Sequence, residues 1–200
     1  VGIVANGIKK FLSNSKINSN YKKYLQGKHI ENFELKPVDL FINFLKEELH
    51  SNTDENVYLQ NEKILVRKTG NRLIAVIDIE KYYTDQSIYN LYPKRGKIVN
   101  LKVITGLLNS KLLEYYFNKK MITNPDVFPY IKGIHLKKLP IKFPNTKDDE
   151  KIFENLVLKI TEMKIKNQDT TSDINKLNQL VYELYGLTED EIRIVEENCS

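Results

Sequence analysis

The apolar positions of this chain follow two different periods, and the change from one to the other divides it. Between residues 63 and 79 they run together: Ile64-Leu65-Val66 and Leu73-Ile74-Ala75-Val76-Ile77 are β-branched runs of strand length. Thr69-Gly70-Asn71-Arg72 separates them. Gly and Asn take the positive φ that a short loop demands, so the two runs predict an antiparallel hairpin. Tyr82 to Tyr92 predicts one further strand with irregular flanks, closed by the exposed basic turn Pro93-Lys94-Arg95-Gly96-Lys97. Residues 1–36 are polar and punctuated by Gly and Asn, which predicts short strands and loops. Val38–Leu49 fits two patterns. Val38, Phe41, Leu45 and Leu49 have helical spacing, while Leu40-Phe41-Ile42-Asn43-Phe44 reads as a buried strand.

From Leu101 the period becomes helical. Leu101, Ile104, Leu108, Leu112, Tyr115 and Phe117 largely follow it to about Met121, with Asn109-Ser110 as a helix start or kink. Asn124 to Gly133 predicts a loop, followed by a short extended piece up to Leu139-Pro140-Ile141. Asp148-Asp149 then predict the cap of a helix with Ile152, Phe153, Leu156, Val157, Ile160 and Met163 on its apolar side. Ser172 predicts the start of another, ending at Gly186, and Thr188-Glu-Asp-Glu191 has the pattern of a capping box opening a last short helix. The expected architecture is α+β: a mixed, mainly antiparallel, β-rich body over residues 1–147 with a helix in its middle. A C-terminal helical layer over 148–200 would pack on that body or on a neighbouring domain.

Charge follows the same division. The net charge of +5 averages two unlike parts: residues 151–200 hold 6 Lys+Arg against 10 Asp+Glu, leaving 25 against 16 for residues 1–150. A body at +9 beside an end at −4 suggests a polyanion contact on the body and protein packing at the end. An ordinary solvated surface in a Lys-rich proteome is the alternative. Lys outnumbers Arg 27 to 4, with 21 Asn and 22 Ile, a bias that fits a low-GC bacterium. Val1 is not Met and the first residues form no signal peptide, so the chain reads as a piece of something longer. No apolar run approaches the roughly 18–20 residues of a membrane span, and no membrane partner is expected. Cys199 alone excludes an internal disulfide framework and thiol-rich zinc sites.

Catalytic patterns are sparse. His29, His50 and His135 are far apart in sequence and form no metal-binding array on one helix. There is no Gly-x-Ser-x-Gly elbow and no phosphate-cradling glycine loop. Asp78-x-Glu80-Lys81 has the wrong spacing for a metal-dependent nuclease. The piece is therefore expected not to be a catalyst by itself, and no metal or cofactor is expected in it. Basic and aromatic groups remain. Lys63, Arg67, Lys68 and Arg72 cluster around the hairpin, and Lys94, Arg95 and Lys97 fill a second loop. Arg67 and Arg72 have two open readings, cross-strand ion pairs or planar forks that read guanine. Tyr82, Tyr83, Tyr89 and Tyr92 suit either core packing or stacking at a nucleic-acid surface.

Several stretches, in order, resemble a known family: Gly2-Ile-Val-Ala-Asn-Gly-Ile-Lys-Lys-Phe11, Leu25-Gln-Gly-Lys-His-Ile30, Glu62-Lys-Ile-Leu-Val-Arg-Lys-Thr-Gly70 and Leu107-Leu-Asn-Ser-Lys-Leu112. Lys132-Gly-Ile-His-Leu-Lys-Lys-Leu-Pro-Ile141 and Leu180-Val-Tyr-Glu-Leu-Tyr-Gly-Leu-Thr-Glu-Asp-Glu-Ile192 complete the set. Leu-Asn-Ser-Lys and Val-Tyr-Glu-Leu-Tyr-Gly-Leu are the most specific of them. The chain resembles the C-terminal target-recognition (specificity) domain of TaqI-like adenine-specific DNA methyltransferases of type II restriction–modification systems, including forms fused to a nuclease. A recognition domain of a type I specificity subunit is the nearest alternative, and a protein-interaction module that does not bind DNA is another.

The resemblance implies double-stranded DNA as a partner, a bacterial cytoplasmic setting, and a methyltransferase domain preceding this one in the same polypeptide. That domain would hold S-adenosylmethionine and the Asn-Pro-Pro-Tyr-type motif for the flipped adenine, which Asn124-Pro125-Asp126 does not match. The resemblance does not specify which side chains read bases. On charge and position the candidates for DNA contact are Lys9, Lys10, Lys28, Arg67, Lys68, Arg72, Lys94, Arg95, Lys97, Tyr130 and Lys132. The N-terminal lysines would neutralise phosphates, and loops near 67–72, 94–97 and 124–132 would read base edges.

Overall fold

A computed structural model describes residues 1–121 and 130–199. Its strands are β1 (Leu12–Ser13), β2 (Tyr21–Leu25), β3 (Ile30–Glu31), β4 (Glu34–Leu35), β5 (Phe41–Asn43), β6 (Lys63–Arg67), β7 (Ala75–Asp78), β8 (Tyr83–Thr84) and β9 (Ile88–Leu91). Its helices are α1 (Glu55–Tyr58), α2 (Leu101–Leu108), α3 (Lys111–Lys120), α4 (Gly133–Lys137), α5 (Lys147–Ile165), α6 (Thr171–Tyr185) and α7 (Glu189–Asn198). The strands form sheets of order β1-β5-β2-β8, β3-β4 and β7-β6-β9. Only the β2–β8 pair is parallel among the described strands. The fold is α+β.

The predicted hairpin is β6–β7, with Ile64 opposite Ile77 and Val66 opposite Ala75. Its unbroken apolar run has a physical cause: β6 is the middle strand of its sheet and is covered on both faces. Ile64 and Val66 face one core with Ala75, Leu107, Leu113, Phe117, Phe153, Val157, Leu177 and Val181. Leu65 turns the other way, into a small cluster with Leu25, Ile30, Val76 and Ile88. A third cluster lies under the first sheet, where Tyr83 stacks on Tyr58 at 4.6 Å and meets Phe44 edge-on at 4.9 Å.

Two expectations change, and Val38–Leu49 takes one of its two open patterns. Tyr82–Tyr92 is two strands in two sheets, because Asp85 turns the chain: its carboxylate accepts from the Ser87 amide at 2.9 Å, and the Ile88 amide donates to its carbonyl. The piece expected to be extended after Gly133 instead holds most of α4. In Val38–Leu49, Phe41–Asn43 is a strand and Lys46–Glu48 a single 3-10 turn, since Ile42 fills the aromatic cluster.

The helices behave as their caps dictate. Asn109-Ser110 separates α2 from α3, and the Ser110 hydroxyl caps α3 by accepting from the Leu113 amide. α5 starts at Lys147 under Thr146, whose hydroxyl accepts from Asp149, so Asp148 and Asp149 sit inside the first turn and complement the helix dipole. α6 begins at Thr171 and ends at Gly186 with φ 73, a left-handed position where a Cβ would be strained. Thr188 and Glu191 form the capping box of α7. Phe153, Val157, Ile160, Leu177 and Val181 bury the inner faces of α5 and α6 in the same core as β6, α2 and α3. No helix of the described residues is long and apolar enough to cross a membrane.

Candidate nucleic-acid interface

The C-terminal end of β6 is where separate parts of the chain converge. Arg67, its last residue, stands opposite Ile88 of β9. Beyond it the Lys68 amide donates to the Ser87 carbonyl at 2.8 Å, and the Lys68 carbonyl accepts from the Ile131 amide at 2.7 Å. Thr69 bridges Tyr130 in antiparallel fashion, and the Tyr89 hydroxyl donates to the Ile131 carbonyl at 2.9 Å. Backbone pairing thus sets Tyr130 and Lys132 beside Lys68. Tyr130 is 51% exposed, with Lys68 Nζ 5.7 Å and Lys132 Nζ 5.8 Å from its ring centroid.

The 3-10 turn at Gly27–His29 joins the same rim. The Gly27 amide donates to Ser87 Oγ at 2.8 Å, and a Cβ on Gly27 would lie 2.7 Å from that oxygen, so a larger residue would displace the Ser87 hydroxyl. Lys28 projects exposed from this turn. Arg67 Nε lies 3.4 Å from Thr69 Oγ1, and Arg72 Nε donates to Glu114 Oε2 at 3.1 Å. Among the described residues neither arginine makes a cross-strand ion pair; Arg72 pairs with a helix instead.

Other candidates lie elsewhere. The β6–β9 register runs from Arg67 opposite Ile88 to Ile64 opposite Leu91, so the turn holding Lys94, Arg95 and Lys97 follows the opposite end of the sheet. About 10 Å of strand separates the two ends. Glu62 and Glu154 already surround Lys102 there, at 2.6 and 4.0 Å. Lys9 and Lys10 are exposed on the turn Ile8–Phe11, where Lys10 lies 4.8 Å over the Phe11 ring, and Phe11 belongs to the aromatic cluster. Among the described residues no hydrogen bond ties that turn to the Lys68–Tyr130 rim. Residues 124–129 of the expected reading loop lie outside the described residues.

Lys63 leaves the basic cluster altogether. It is fully buried, donating to Asp78 Oδ2 at 2.5 Å and to the Tyr58 carbonyl at 2.8 Å. His29 and His135 each clasp a turn: Nδ1 of His29 accepts from the Gln26 amide at 3.1 Å, and Nδ1 of His135 from the Lys132 amide at 3.3 Å. Burial, then the neighbouring lysines, lower both imidazoles from their ordinary range, which favours the neutral acceptor form. Among the described residues no cluster of His, Cys, Asp or Glu could hold a metal ion.

Two residues that support the rim are absent from the candidates for DNA contact: Asn109, read only as part of a helix break and a family stretch, and Glu114, not singled out at all. Asn109 is buried and clamps β7, its amide donating to the Ala75 carbonyl at 2.8 Å while its oxygen accepts from the Ala75 amide at 2.9 Å. Glu114, one turn beyond the Ser110 cap, occupies the inward face of α3 with Leu113 and Phe117. The signal for both is a polar side chain at a position where the helical period calls for an apolar one. The Leu-Asn-Ser-Lys stretch is therefore a fastening. Asn109 holds the hairpin, Ser110 caps α3, the Lys111 amide bonds Asn178 of α6, and Lys111 Nζ pairs with Glu196 of α7.

Comparison with known proteins bears on the fold and the family. No curated protein sequence matches the chain significantly. A structure of the type IIL restriction–modification enzyme MmeI in complex with DNA shares the fold at a TM-score of 0.65 and 12% identity, covering 97% of this chain. This chain spans 34% of that one. The family profile of the TaqI-like C-terminal specificity domain matches residues 22–141, which take in β3 to β9, all of β2 but Tyr21, and the whole Lys68–Tyr130–Lys132 rim. With most of its length inside that profile, the chain belongs to the TaqI-like C-terminal specificity domains.

Proposed function

We propose that this chain is the DNA target-recognition domain of a restriction–modification adenine methyltransferase. The supporting observation is the convergence of Lys28, Arg67, Lys68, Arg72, Tyr130 and Lys132 on one end of the β7-β6-β9 sheet, in a chain of the specificity-domain family. Lysines there neutralise phosphates and release counterions, which is sequence-independent; the arginine forks and the tyrosine present groups suited to base edges. Methyl transfer to a flipped adenine belongs to another domain of the parent protein, where S-adenosylmethionine would bind. Among the described residues, the open grooves between α5 and α6, where Ile152 and Leu180 lie beside Asp149, Lys159 and Glu183, carry no glycine-rich backbone to cradle that cofactor.

Electrophoretic shift with double-stranded DNA at two salt concentrations tests the reading. Binding that weakens steeply with salt is the expected result. Salt-independent absence of binding, with behaviour unchanged when Arg67, Arg72 and Arg95 become Ala, would instead favour a protein-interaction module. Labelled S-adenosylmethionine and DNA incubated with the chain should yield no methylated product.

A further inference from the structure

Arg72 lies in the β6–β7 loop with its guanidinium side chain 42% exposed, while its partner Glu114 is only 8% exposed. The contact uses Nε alone, at 3.1 Å. Arginine carries five N–H donors in a rigid plane. The remaining four have no hydrogen-bond partner among the described residues.

The base of this loop is immobilised from several sides. Asn109 clamps Ala75, the Arg67 amide donates to the Ile74 carbonyl at 3.0 Å, and Lys68 pairs with Ile131. Glu114 adds a hold on the side chain itself. A buried ion pair is weak evidence for stability, and burial raises this carboxylate above its ordinary value although Arg72 lowers it. Charge alone does not explain the arginine, since the chain uses Lys at 27 of its 31 cationic positions. What Arg72 and Glu114 supply together is an oriented planar fork, which Lys cannot supply.

Resting on the DNA-recognition reading above, we infer that Arg72 is a specificity-determining side chain, its fork reading O6 and N7 of a guanine, and that Glu114 is the positioning residue that orients it. Lys68 and Lys132 then carry sequence-independent phosphate contacts beside it.

The test selects bound sequences from a double-stranded DNA library with a randomised core. It uses the full 200-residue chain as wild type, R72K and E114Q, each with a thermal melt. Wild type should enrich a motif containing a G·C pair. R72K, which keeps the charge and loses the fork, should hold random DNA as well as wild type but discriminate that pair about 5- to 100-fold less. E114Q removes a negative charge and loosens the fork. It should bind random DNA at least as tightly, melt no lower, and lose preference at the same pair. A Glu114 that only props the fold would lower the melting temperature and weaken all sequences alike, and that result overturns its positioning role. A wild-type motif retained in full by R72K overturns the inference while leaving DNA recognition intact. If R72K does not fold, retention of the motif by E114Q decides against it. A wild-type pool that enriches nothing overturns it too, and salt-dependent binding of that pool then tells whether the DNA reading falls with it.

Discussion

Lys63 and Asp78 face each other across the first pair of the β6–β7 ladder and close a salt bridge of 2.5 Å with neither side chain exposed. Asp78 also accepts from the amides of Glu80 at 2.8 Å and Tyr82 at 3.0 Å, while Lys63 reaches the Tyr58 carbonyl. The pair therefore ties α1 to the start of the hairpin and to the chain leaving it. Losing one partner strands a buried charge, so Lys63→Met or Asp78→Ala should each cost about 3–5 kcal/mol. Urea denaturation with a fitted midpoint measures it, and a loss below about 1 kcal/mol would contradict this account of the pair.

Asn109 predicts a second, smaller effect. Asn109→Ala leaves the Ala75 amide without its acceptor, while the Ala75 carbonyl keeps the Phe33 amide at 3.1 Å. The expected loss is about 1–3 kcal/mol. Hydrogen exchange should show the Ala75 amide opening first; exchange there unchanged from wild type would refute the clamp.

Glu114 should make stability depend on pH in a specific sense. Its folded pKa lies above the ordinary value because of burial, with Arg72 offsetting only part of that shift. The folded state therefore binds more protons than the unfolded one between the two values. Glu114's relative contribution is present below the ordinary carboxylate range and is lost as pH rises through the raised value. Subtracting Glu114→Gln melting curves from wild type across pH 4–8 should show wild type falling behind as pH increases. A flat difference would refute the assignment.

The two ends of the β7-β6-β9 sheet should separate in DNA binding. Replacing Lys68 or Lys132 by Ala should each lower the salt slope of DNA affinity by about 1 and weaken different sequences to similar extents. Lys94, Arg95 and Lys97 replaced together should change affinity less than the Lys68/Lys132 double variant, because their turn follows the far end. Titrations at three or more salt concentrations give the slopes. A larger effect at residues 94–97 would move the interface to the other end.

Gly2 is pressed against the β8–β9 turn: a Cβ there would lie 2.2 Å from the carbonyl oxygens of Thr84 and Asp85. Gly2→Ala should lift the first residues away, exposing Ile3, and cost about 1–3 kcal/mol. Faster exchange of the Ile3 amide, which donates to the Thr84 carbonyl at 2.7 Å, would be the local sign.

Elements whose cause is local were legible in advance. The hairpin follows from two apolar runs around Gly70-Asn71, the α2–α3 break from Asn109-Ser110, and the ends of α6 and α7 from Gly186 and Thr188-Glu191. Steric preference and capping act over a few residues, so a few residues suffice to read them. Tyr82–Tyr92 was misread because its two strands owe their places to different sheets, and nothing within the segment specifies its partners.

The site divides in the same way. Residue types and charge alone singled out Arg67, Lys68, Arg72, Tyr130 and Lys132 as chemically suitable. Charge could not tell Lys63, which β6 carries into the interior, from Lys68 beyond the strand's end. It could not place Lys94, Arg95 and Lys97 at the far end of the same sheet, nor show that Glu114 meets Arg72. Sequence determined which side chains were on offer and the period of the elements that bear them. Tertiary structure decided which of them meet, because strand register, helix docking and the burial of one face are set by contacts between residues far apart in the chain.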